Sequence, residues 1–103
     1  VKDIPGFLVN RINCLMYNEA ARLVEAGVTT AADVDLAMKL GMNHPMGPLE
    51  MIDMAGIDVA TSALEALYEM TGIEAYKPAG ILQQMVKEGR CGRKTGRGFY
   101  DYN

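Results

Sequence analysis

One histidine, two cysteines, an asparagine early in an apolar run and a basic cluster near the C-terminus are the side chains here with chemistry to offer. His44 stands directly before Pro45, with no carboxylate placed to orient an imidazole, so it reads as a solvent-facing loop residue rather than a general base. Cys14 and Cys91 are far apart and lack partner histidines, which excludes a zinc-ligand set and a disulfide framework and leaves two reduced thiols. No metal is expected. Gly92, Arg93, Lys94 and Thr95 superficially suggest a phosphate loop, but that loop needs glycine immediately before its lysine, and Arg93 fills the position. Gly96-Arg97-Gly98 runs into Phe99 instead of a helix, so it is no dinucleotide fingerprint either. By themselves these residues do not hold a nicotinamide dinucleotide.

Asn10 is a mediocre helix former in a run that otherwise favours a helix. It reads as a solvent-facing or capping polar residue, or as one present for its amide. Asn13, Tyr17 and Asn18 widen that polar strip without deciding between the two.

The elements that must position these residues are helices. Apolar residues recur three and four apart, strict alternation is nearly absent, and each periodic run is bounded by glycine or proline. An opening turn at Ile4, Pro5 and Gly6 precedes a long helix whose apolar stripe is Leu8, Ile12, Leu15, Met16, Leu23 and Val24, ending at Gly27. Thr30 and Asp33 resemble a capping box for a second helix, buried through Val34, Ala37 and Met38 and closed by Gly41. A loop from Met42 to Gly47 leads to Pro48, which begins a short third helix anchored by Leu49, Met51 and Ile52. A fourth helix carries Val59, Ala63, Leu64, Leu67 and Tyr68 to Gly72, and a fifth runs from Pro78 through Ile81, Leu82, Met85 and Val86 to Gly89. The glycine-rich segment beyond it forms an irregular tail that Phe99, Tyr100 and Tyr102 pin back on the helices. The fold class is therefore all-α, five helices in one bundle-like domain over residues 1–103. Eight methionines serve as core filler between the helices.

The formal net charge of −3 is uneven, since residues 1–86 carry five basic and eleven acidic side chains and residues 87–103 carry five and two. Lys87, Arg90, Arg93, Lys94 and Arg97 make a basic tail, read first as a solvated one. Without interleaved aromatics it is a poor nucleic-acid surface. The apolar runs are too short to cross a bilayer and the N-terminus has no export-signal pattern, so a cytosolic or matrix-type protein is expected.

The order of short motifs is more specific than any one of them. Asp3-Ile4-Pro5-Gly6-Phe7-Leu8-Val9-Asn10-Arg11, Glu19-Ala20, Ala31-Ala32-Asp33-Val34-Asp35, Pro45-Met46-Gly47-Pro48-Leu49 and Gly92-Arg93-Lys94-Thr95-Gly96-Arg97-Gly98-Phe99-Tyr100-Asp101-Tyr102 follow one another at set separations. Together they resemble the C-terminal helical domain of the 3-hydroxyacyl-CoA dehydrogenase family, over essentially the whole chain. The resemblance implies a fold similar to the C-terminal domain of 6-phosphogluconate dehydrogenase-like proteins. It implies an NAD-dependent oxidation of an L-3-hydroxyacyl-CoA, 3-hydroxybutyryl-CoA or longer, to the 3-oxoacyl-CoA. NAD and the catalytic His and Glu dyad belong, on this resemblance, to a separate Rossmann domain to which nothing in residues 1–103 corresponds, so the chain alone is expected to be inactive.

By the same resemblance Asn10 hydrogen-bonds the substrate near its reacting 3-oxygen and Lys94 reaches the NAD held by the other domain. Pro45 to Pro48 become a fixed turn in which Gly47 allows close approach, and a homodimer is implied. Arg93 stands where members often carry lysine, a change that keeps the charge. Two other classes stay open at this point: a purely structural dimerisation module, and a helical domain from a dehydrogenase of another 3-hydroxy acid.

Overall fold

The computed structural model describes residues 5–102, and five α-helices account for most of them. They are α1 (Pro5–Glu25), α2 (Ala31–Gly41), α3 (Pro48–Ala55), α4 (Ile57–Thr71) and α5 (Gly80–Lys87). Two short 3-10 turns, Glu74–Tyr76 and Arg93–Thr95, were not expected from the sequence. Of the opening turn, Ile4 lies outside the described residues, and Pro5 and Gly6 are already helical, proline being well suited to a first helical position.

Helix α1 is the hub, packing against all four other helices. Its buried face is Cys14, Tyr17, Asn18 and Ala21, a three- and four-residue spacing. The apolar stripe expected on it divides: Met16 and Val24 pack against the core, whereas Leu8 is 47% exposed, Ile12 66% and Leu15 38%. Leu8, Ile12 and Leu15 thus form an apolar face left open among the described residues. The core is completed by Leu49 and Ile52 of α3, Ile57 and Leu64 of α4, and Leu82 of α5, none of them accessible. Val59, expected on the inner face of α4, points outward instead.

A polar ladder on α1 fixes the connection between α4 and α5. Buried Asn18 donates to the carbonyls of Ala75 (3.0 Å) and Lys77 (2.7 Å) and accepts from the Ala79 amide (2.8 Å). Arg22 donates to Glu74 and Lys77 carbonyls, and Arg11 donates to the Tyr76 hydroxyl at 2.6 Å. Residues 11, 18 and 22 lie seven and four apart, so they project along one side of the helix. A loop with few regular backbone bonds is thereby satisfied.

Thr30 caps α2 as expected, accepting from the Asp33 amide at 3.2 Å. The buried residue of α2 that matters is Asp35, 2% exposed, whereas Ala37 is on the surface. Asp35 accepts from the amides of Leu49 (2.8 Å) and Glu50 (3.1 Å), the first turn of α3. Helix α3 begins after a glycine with no capping side chain, so its free N–H groups are satisfied from α2. Gly47 has to be glycine, because a Cβ there would lie 2.2 Å from the Asp35 Cβ. The close approach expected at Gly47 is thus an approach to a carboxylate.

Candidate functional site

The C-terminal tail is held by a second buried carboxylate, Asp53 in α3, 1% exposed. Asp53 accepts from the amides of Phe99 (2.9 Å) and Tyr100 (3.1 Å) and from the Tyr102 hydroxyl (2.5 Å), while the Tyr100 hydroxyl reaches across to Asp35 at 2.5 Å. The aromatic tail therefore returns to the helices as expected, through two aspartates that sequence reasoning passed over. Their signal was available: each is an acid inside an apolar run, beside Val34 and between Ile52 and Met54.

Burial and then the hydrogen bond to Asp35 push the Tyr100 phenol well above its ordinary value, and burial with Asp53 pushes Tyr102 up to about 12. A phenol raised in the folded state contributes stability that is complete below its unfolded pKa of about 10 and is lost as pH climbs through the folded value. Urea unfolding of the native chain should therefore lose stability between about pH 10 and 12, and Tyr102→Phe should flatten that loss. Parallel curves for the two proteins would refute the linkage.

This docking sets where Lys94 stands. It lies in the 3-10 turn Arg93–Thr95, and its ammonium pairs with Asp58 at the start of α4, 2.9 Å from Oδ2 and 2.7 Å from Oδ1. That hydrogen bond lowers the Asp58 carboxyl below its usual range. Other cations of the basic tail are also paired: Arg90 with Glu88 and the Gly98 carbonyl, Arg97 with Asp101, and Arg93 over the Tyr102 ring.

Asn10 is exposed on the first half of α1. It borders a cleft of about 240 Å³ between α1 and α4 whose walls include Arg11, Cys14, Ala63, Leu67 and Met70. It also borders an adjoining cleft of about 130 Å³ that includes Asn13, Tyr17, Ala55 and Val59. Lys94 is in the walls of neither cleft; a Cβ built on Gly56 would lie 3.4 Å from Val59 Cγ2 and 3.2 Å from Lys94 Nζ, which puts the ammonium near the α3–α4 junction. Asn10 is exposed, and the Lys94 side chain is 50% exposed.

Little else competes. His44 is partly buried in its loop, and its ring makes no hydrogen bond among the described residues. Cys14 and Cys91 are free, and burial raises the Cys14 thiol, which makes it a poor nucleophile. Among the described residues no group of His, Cys, Asp and Glu is arranged to hold a metal, and no helix is long and apolar enough to cross a membrane.

An all-helical domain with an open cleft and a latched basic turn matches one family over nearly its full length. The profile of the 3-hydroxyacyl-CoA dehydrogenase C-terminal domain matches residues 6–102, and the chain belongs to that family. A probable 3-hydroxybutyryl-CoA dehydrogenase of Bacillus subtilis is 48% identical over 99% of this chain, which covers 36% of that relative. A 3-hydroxybutyryl-CoA dehydrogenase of Clostridioides difficile is 47% identical over the whole chain and 37% of its own length. The crystal structure of the (S)-3-hydroxybutyryl-CoA dehydrogenase PaaH1 from Ralstonia eutropha superposes with a TM-score of 0.88 at 45% identity, over 91% of this chain and 33% of that one. The chain spans about a third of the length of these relatives.

Proposed function

We propose that this chain is the substrate-side domain of an NAD-dependent L-3-hydroxyacyl-CoA dehydrogenase, with 3-hydroxybutyryl-CoA as its substrate and the 3-oxoacyl-CoA as product. The observation that carries this reading is the 48% identity, across 99% of the chain, to a relative named for that activity. The α1–α4 cleft adds chemical support, because it sets one amide beside apolar walls.

In this reading Asn10 donates its amide N–H to the 3-oxygen, whose negative charge grows as the hydroxyl proton leaves and is drawn into the new carbonyl bond as the hydride departs. A donor already aligned there stabilises the transition state more than the ground state, provided water is excluded. Closure of a neighbouring dinucleotide-binding domain over the cleft would exclude it, and that domain supplies the general base. NAD accepts the hydride when bound. Toward it this chain offers one half-exposed ammonium, Lys94, which fits a contact at the cofactor's edge rather than a binding cradle. Homodimerisation and a cytoplasmic or matrix location go with the same reading, and the open α1 stripe of Leu8, Ile12 and Leu15 is apolar surface that a subunit contact would cover.

The test is Asn10→Ala in the complete dehydrogenase, assayed with acetoacetyl-CoA and NADH. We expect kcat to fall about 100-fold, the scale of one lost oxyanion donor, with the thermal midpoint preserved. A kcat unchanged within about twofold would favour a purely structural dimerisation module.

A further inference from the structure

We propose that Asp58 is a positioning residue for Lys94, fixing where its ammonium meets the cofactor; the inference rests on the assignment of Lys94 to NAD made above. A lysine stem of four carbons is flexible, and an ammonium left free would sample many positions before a ligand arrived. Here two carboxylate oxygens hold it, at 2.7 and 2.9 Å, across 36 residues of sequence. The ammonium spends one of its three donors on Asp58 Oδ2, and its side chain is 50% exposed, so it keeps donors open to a ligand.

Both ends of the pair are themselves anchored. On the Lys94 side, the Thr95 hydroxyl accepts from the Cys91 amide at 2.9 Å and lies 3.0 and 3.1 Å from the carbonyls of Arg97 and Gly92. On the Asp58 side, the neighbouring Ile57 amide donates to the Cys91 carbonyl at 3.0 Å, tying the start of α4 to the same strand of tail. Gly56 leaves the pair its space: a Cβ there would come within 3.1 Å of Asp58 Oδ1 and 3.2 Å of Lys94 Nζ. An ion pair this exposed adds little to stability, so its two-ended anchoring is better matched to placing a charge than to holding the fold.

The experiment uses the complete dehydrogenase, with its dinucleotide-binding domain in place. Asp58→Asn should raise KM for NAD about three- to fivefold, the size an exposed ion pair supports, while kcat and KM for the acyl-CoA stay within about twofold. Asp58→Glu should restore most of the loss. Lys94→Ala should raise KM for NAD at least as much, and adding Asp58→Asn to it should change nothing further. If Lys94→Ala raises KM and Asp58→Asn does not, the positioning role is wrong and the cofactor assignment stands. If Lys94→Ala leaves KM unchanged, the cofactor assignment itself fails and the inference falls with it. An Asp58→Asn effect that appears equally in kcat, or as a collapse of the thermal midpoint, overturns the inference by making Asp58 structural.

Discussion

Asp53→Ala is expected to destabilise the domain by about 4 kcal/mol, within the range for removing one partner of a buried, hydrogen-bonded charge. The side chain is 1% exposed and serves three donors, two of them backbone amides of the tail at Phe99 and Tyr100. Alanine supplies no acceptor, and the space it leaves is closed to solvent as long as the tail stays docked. The tail therefore undocks. For a domain of this size the thermal midpoint should drop on the order of 20 °C, read by circular dichroism. Amide exchange should rise first across residues 96–102 while α1 keeps its protection, since the lost contacts belong to the tail. A fall of less than about 5 °C would show that the aspartate is not what holds the tail.

Gly92→Ala acts on the same junction from the other side, with an expected cost of about 3 kcal/mol or more. Gly92 has φ +105° and ψ −148°, a conformation essentially restricted to glycine. A Cβ there would lie 2.2 Å from the Asp53 carbonyl oxygen and 2.8 Å from its Cα, both backbone atoms of a buried helix. No rotamer relieves that collision. Gly27→Ala is the matched control, because Gly27 also has positive φ, at +76°, but a Cβ would meet nothing within 4 Å. Its cost should stay near 1 kcal/mol, the backbone contribution alone. Equal midpoints for the two variants in urea would mean that the close approach at Gly92 carries no energetic weight.

Both variants loosen the turn that carries Lys94, so on the proposed reading they reach function without touching substrate. The tail is continuous from Gly92 through the Lys94 turn to Tyr102, and Asp53 holds its far end. Loss of fold and loss of cofactor contact should therefore coincide in them. In Asp58→Asn the two should separate.

The legible part of this protein was local. Five helices follow from three- and four-residue periodicity punctuated by glycine and proline, and the observed boundaries at Gly41, Pro48 and Gly72 are the punctuation marks. The aromatic tail reads correctly too, since rings spaced at Phe99, Tyr100 and Tyr102 behind glycines have little to pack on except the helices. Asn10 and Lys94 came from motif order, which places residues in a family and not in space.

What escaped was pairwise. Whether Asp35 faces water like Asp33 or caps a helix fourteen residues onward depends on where α3 starts in space, which no local pattern encodes. The same holds for Leu8, Ile12 and Leu15: periodicity reports that a face is apolar, not whether its partner lies in these residues. Composition and spacing by themselves determined an all-helical domain with a basic, glycine-rich end, because helix formation is governed by neighbours within a turn or two. Only the tertiary structure decided that two buried carboxylates latch that end to α2 and α3 and set Lys94 beside Asp58. Buried charges are tolerated only where distant donors converge on them, and convergence is a property of the folded chain.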